Sequence, residues 1–237
     1  MPTHDSARML ARRSFFSKLG FGLAGGAAVG AAGSPAQAQS QSSSEGFQPA
    51  RHAQDDWFDQ VPGKHRYVLD APNPEGFGDA LAFLNNYFNA NQGDYGLKDG
   101  DLAVVLIARH QSTAFAYNDA IWAKYGKTIA ERNNFLDPKT KQAPTVNLFN
   151  AAGYGPQLPN RGNTIDALLK RGLRLGVCQV STRGYAGAIA MATGSTQDAV
   201  FEEIKANLLP NARLVPAGIV AVNRAQERGY TLATVER

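Results

Sequence analysis

Beyond residue 63 the hydrophobic positions fall into two kinds of segment that alternate along the chain. Short, dense aliphatic runs occupy residues 64–70 (KHRYVLD), 101–108 (DLAVVLIA), 173–180 (LRLGVCQV), 212–215 and 230–235. Between them lie segments with apolar residues at helical spacing. Residues 75–89 place Phe77, Ala80, Leu81, Leu84 and Phe88 on one face, and residues 113–125 do the same with Phe115, Ile121 and Trp122. Residues 164–171, stopped at Gly172, together with 199–207 and 219–228, closed by Gly229, complete the helical set. The unbroken run at 101–108 suits a central strand covered on both faces. Strands separated by helices of this length imply βαβ units. The predicted fold is a three-layer α/β/α domain with a mainly parallel five-stranded sheet.

Two stretches depart from this rhythm. Residues 126–163 carry four prolines and Gly153-Tyr154-Gly155, and are expected to form a long irregular insertion with one short helix near 127–133. Residues 39–62 begin Ser/Gln-rich and read as a flexible N-terminal arm, with Trp57 and Phe58 available to dock on the body. The folded domain is therefore expected over 63–237.

Residues 1–38 have the order of an export signal. A polar, basic start is followed by a Gly/Ala-rich apolar core and then Ala36-Gln37-Ala38, an A-x-A cleavage pattern. Arg12-Arg13-Ser14-Phe15-Phe16 resembles the twin-arginine translocation motif. That resemblance implies a periplasmic protein with no stable membrane span after signal cleavage. The alternative is an uncleaved anchor, disfavoured by the weakly hydrophobic, glycine-containing core.

Charge narrows the function. The full chain has 24 Lys+Arg against 20 Asp+Glu. Arg8, Arg12, Arg13 and Lys18 sit in the leader against Asp5 alone, so most of the basic excess leaves with it. A nucleic-acid partner on bulk charge is excluded. One cysteine rules out an intramolecular disulfide and multi-cysteine metal sites. No H-E-x-x-H spacing or G-x-S-x-G elbow occurs, so no metal site and no serine hydrolase are expected. Gly20–Gly25 satisfies G-x-G-x-x-G, but no strand precedes it.

Ligands of such sheets bind outside the carboxyl ends of the strands. That rule selects Asp70 after the first strand and Arg109, His110, Gln111 and Ser112 after the second. After the third it selects Cys178, Ser181, Thr182 and Arg183, and after the fourth Pro216-Ala217-Gly218. Cys178 is either a thiolate nucleophile favoured by nearby cations and a following helix N-terminus, or a small filler in a buried strand. His110 is either an acid/base group or an ordinary loop histidine. Arg109 and Arg183 either clamp an anion or pair with carboxylates at a subunit contact. Ser181 and Thr182 either bind ligand or cap the next helix.

Three C-terminal segments carry a family resemblance: 172–182 (GLRLGVCQVST), 207–220 (NLLPNARLVPAGIV) and 226–230 (QERGY). They resemble the DsrE/DsrF-like family. The resemblance implies a flavodoxin-like three-layer domain that assembles into homo-oligomers. It also implies a persulfide-carrying or sulfurtransferase-like role with Cys178 as the carrier, needing no cofactor. Arg109, His110 and the Ser181–Thr182–Arg183 loop would then form the anion-binding surroundings, and a sulfur donor or acceptor protein the partner. This chain departs from the simple members in its export leader and its 126–163 insertion. A non-catalytic oligomeric module binding a small anion or partner protein is the alternative. Flavin or nucleotide binding has only fold analogy behind it.

Overall fold

Strand β2, Leu102–Ala108, is buried at every residue and forms the centre of the sheet. The structure is a computed structural model, and it describes residues 48–237. The export leader expected at 1–38, and the arm up to residue 47, lie outside the described residues. Around β2 stand β1 (His65–Ala71), β3 (Arg174–Cys178), β4 (Ala212–Val215) and β5 (Thr231–Thr234), in the order β4-β3-β2-β1-β5. All four pairings are parallel.

The chain steps one strand at a time from β1 to β4, then crosses back to place β5 beside β1. A right-handed crossover changes face when its direction reverses. The helices follow that rule. One face of the sheet is covered by α2 (Pro74–Tyr95), α3 (Asp119–Asn133), α4 (Ile165–Lys170), α5 (Gln179–Thr193) and α6 (Gln197–Ala206). The other is covered by α7 (Gly218–Glu227) and the short α1 (Trp57–Gln60). Alternate strand residues divide accordingly. Leu69, Val104, Leu106, Leu175 and Val177 join the first core, whereas Val68, Val105, Ile107 and Val215 join the second. The expected three-layer α/β/α fold with a five-stranded sheet is the observed one, and its sheet is wholly parallel.

Four local expectations need correction. The 39–62 arm is not free over its second half. Phe58 is wholly buried, Trp57 stacks on it at 4.0 Å, and Tyr230 Oη donates to the Phe58 carbonyl at 2.7 Å. Asp55 and Asp59 add ion pairs to Arg224 and Arg66.

The insertion begins later than residue 126. Gly126 lies inside α3, where a Cβ would stand 1.9 Å from the Pro144 carbonyl oxygen, so this glycine permits close approach and does not end the helix. The irregular stretch starts at Asn134, the left-handed C-cap. It is held by buried polar staples: Asn147 Nδ2 donates to the carbonyls of Phe115 and Tyr117, and Leu148, Phe149 and Leu158 enter the core.

The segment 113–125 is not one helix. A 3-10 helix spans His110–Ala116, and α3 starts after the Asn118 cap. The third strand ends at Cys178, and residues 179–193 form α5, which the sequence pattern missed.

Candidate functional site

At the carboxyl edge the helix after β3 turns to one face of the sheet and the helix after β4 turns to the other. The crevice of a doubly wound sheet opens where that divergence occurs. Cys178 stands there as the last residue of β3, paired with Val215, the last residue of β4. The β2–β3 register runs to Ala108↔Val177, so its next step sets Arg109 beside Cys178. Counting alternate residues puts Asp70, Arg109 and Cys178 on the α7 side of the sheet, with Arg109 two residues past Ile107, the partner of Asp70.

Cys178 is the N-cap of α5. Its Sγ accepts a hydrogen bond from the Ser181 backbone N–H at 3.5 Å, in place of the usual cap oxygen. The residue is 6% exposed. It is a buried residue that lies outside both apolar core clusters. The positive end of the α5 dipole and its unpaired N–H groups face the sulfur.

Arg109 reaches Asp70 with two bonds, Nε–Oδ1 at 2.6 Å and Nη2–Oδ2 at 2.8 Å. The Asp70 side chain is 4% exposed and that of Arg109 is 25%. The hydrogen bond to Asp70 holds the guanidinium pKa above its ordinary value, against the opposing effect of burial. The charges of Asp70 and Glu236 act in the same direction. Asp70 draws the guanidinium toward β1, so Arg109 is a neighbour of the sulfur mainly through its backbone and stem. Gly218 makes room for that stem: a Cβ there would lie 2.5 Å from Arg109 Cβ.

The remaining candidates separate. Ser181 joins the site twice, through its N–H to Cys178 Sγ and through Oγ, which accepts from the His110 backbone N–H at 3.0 Å. His110 has φ +55°, a left-handed conformation unusual for a non-glycine residue, and its side chain is exposed. Thr182 is wholly buried and structural: Oγ1 donates to the Cys178 carbonyl at 2.9 Å and accepts from Tyr117 Oη at 3.1 Å. Burial pushes the Tyr117 hydroxyl well above its ordinary pKa, so it stays a neutral donor.

Arg183 leaves the expected constellation. It pairs with Asp198 at 3.1 Å and lies over the Phe201 ring at 4.2 Å, both on α6. The expected loop 181–183 is the first turn of a helix, and helical geometry turns Arg183 toward α6. Sequence reading missed Tyr117 and the apolar rim of Val180, Ile219 and Val220, which are 65%, 60% and 41% exposed on the first turns of α5 and α7. Val180 and Ile219 lie two and four residues past the ends of β3 and β4, which was the available signal; nothing in the sequence marks Tyr117.

Among the described residues no group of three or more His, Cys, Asp or Glu side chains is placed to hold a metal ion, and no helix is long and apolar enough to cross a membrane.

The chain matches no family model and no curated protein. Among solved structures it is similar to the protein of unknown function MTH1491 from Methanobacterium thermoautotrophicum, at 13% identity and a TM-score of 0.34, over 72% of this chain and 99% of that one.

Proposed function

We propose that this chain is an exported DsrE/DsrF-like protein that carries sulfane sulfur on Cys178 and hands it to a partner. The observation that supports this most is the placement of the lone thiol, which caps α5 at the carboxyl end of β3. A helix N-terminus receives anions, so a thiolate or a persulfide anion there meets backbone N–H donors. In the transfer step the Cys178 thiolate attacks the outer sulfur of a donor persulfide. A new S–S bond forms, the donor S–S bond breaks, and its electron pair leaves with the donor thiolate, so no external oxidant is consumed. Ser181 positions the sulfur and couples it to the His110 loop. The exposed apolar rim of Val180, Ile219 and Val220 suits a docking partner or a second copy of the chain.

The test is intact-mass analysis after incubation with a low-molecular-weight persulfide. The native protein gains the mass of one sulfur atom, and Cys178→Ser gains none. Iodoacetamide at neutral pH alkylates Cys178 without denaturant. If Cys178 reacts with either reagent only after unfolding, the carrier role is lost. The low exposure of the residue favours the second reading, a non-catalytic module in which Cys178 only packs. Under that reading Cys178→Ser leaves partner binding and assembly unchanged. Periplasmic export by the twin-arginine route is part of the proposal, and replacing Arg12 and Arg13 by lysine together is expected to retain the precursor in the cytoplasm.

A further inference from the structure

The amino-terminal end of the sheet carries a groove that the cysteine site does not use. Its cavity is about 290 Å³, and its lining includes Trp57, Gln60, Val61, Arg174, Asn211 and Arg213. Arg174 is four residues from Cys178 along β3, roughly 13 Å at the rise of a strand, so the two sites sit at opposite ends.

Residue alternation puts Arg174 and Arg213 on the α1/α7 face, on adjacent strands, with Gly176 between Arg174 and Cys178. Gly176 makes room for the Ile107 side chain, whose Cδ1 would lie 2.5 Å from a Cβ there, and Trp57 and Val61 supply the apolar part of the groove lining. The lining therefore holds two guanidinium groups and no carboxylate. Neither Arg174 nor Arg213 makes an ion pair or side-chain hydrogen bond among the described residues, although most other arginines of the domain do. The two guanidinium groups stand diagonally on neighbouring strands, since Arg213 pairs with Gly176, so both cations serve the same groove. Trp57 itself lines the groove, and its buried indole Nε1 has no hydrogen-bond partner.

We infer that this groove binds a small organic anion, its acidic group between Arg174 and Arg213 and its apolar body against Trp57 and Val61. Guanidinium donors match the geometry of a carboxylate or phosphate group, and the aromatic lining selects a ligand with an apolar part over a bare inorganic ion.

The chain has two tryptophans, so the full-length protein labelled with nitrogen-15 gives two indole N–H resonances. Trp57→Phe assigns them, and the wholly buried Trp122 serves as internal reference. Titration with benzoate is expected to shift the Trp57 resonance saturably and leave Trp122 in place. Neutral benzamide and inorganic phosphate bind at least tenfold more weakly. The double variant Arg174→Gln/Arg213→Gln, with an unchanged circular dichroism spectrum, binds benzoate at least tenfold more weakly.

Equal affinity for phosphate and benzoate overturns the organic part of the assignment. Undiminished benzoate binding by the folded double variant overturns the arginine pair. No saturable shift in the wild-type protein overturns the site, and aggregation of an Arg213→Gln variant in that case identifies Arg213 as a guard on the edge strand. Because the readout is Trp57, these outcomes are independent of Cys178 reactivity.

Discussion

The two faces of the sheet are covered by different means. The α2–α6 face is closed by hydrocarbon: Phe115 packs against Phe149, Phe135, Phe77 and Trp122 with ring centroids 4.5–5.6 Å apart. The α7 face has one full helix and a four-residue helix, and charges complete its cover. Arg109 and Asp70 pair near the amino end of α7, and Arg228, wholly buried just past its other end, meets Asp59 and Asp56 at 3.3 and 3.4 Å. The first pair is bidentate and close, while Arg228 keeps Nε and Nη1 without hydrogen bonds. The thick layer takes polar side chains such as Asn147 and Thr182 inside and pairs them with backbone carbonyls. A thin layer leaves polar groups at its rims, and both candidate sites lie on that side.

The largest effect is expected from Phe115→Ala, which should cost about 3–5 kcal/mol in urea unfolding by opening a cavity among four aromatic neighbours. A loss below about 1 kcal/mol would erase the contrast between the faces. Next comes Arg109→Met, expected to cost about 3 kcal/mol because it strands the buried Asp70 carboxylate. Adding Asp70→Asn should recover most of that loss; failure to recover would show that Arg109 acts through its stem against Gly218. Arg228→Met should change stability by no more than about 1 kcal/mol in either direction, since an imperfectly paired buried guanidinium offsets little of its desolvation. A loss of several kcal/mol would make the two arginine clamps equivalent.

The smallest effect belongs to Glu203, on the thick face. Its hydrogen bond to Lys124 at 2.7 Å, with that from Tyr125, lowers its pKa below the ordinary 4.5. A carboxylate with a depressed folded pKa stabilises at neutral pH, and that contribution is lost as pH falls below 4.5 through the folded value. Glu203→Gln should cost less than about 1 kcal/mol at pH 7, because the group is largely solvated, and the cost should shrink as pH falls through the folded value.

The strands were legible because aliphatic runs such as 102–108 leave little alternative to burial on both faces. Helix α5 was hidden by its composition: Gly184, Gly187 and a series of alanines blur the apolar stripe, and its cap is a cysteine sulfur, outside the usual cap residues. Asp70 and Arg109 could each be placed at a strand end from the sequence. Their bond could not, because it depends on the β1–β2 register, which matches Asp70 with Ile107. Arg183 failed for the opposite reason. Its partner Asp198 sits on the next helix, and only the packing of α5 on α6 brings the two charges together. The arginine groove had no sequence signal, since Trp57 and Arg174 are more than a hundred residues apart.

Both borders of the sheet are four-residue strands, and one of them carries Arg213. Such short selvedges offer another copy of the chain little backbone to hydrogen-bond along, and a projecting cation discourages the attempt. Among the described residues, both edges thus carry a deterrent against splicing one copy's sheet onto another's as a ribbon.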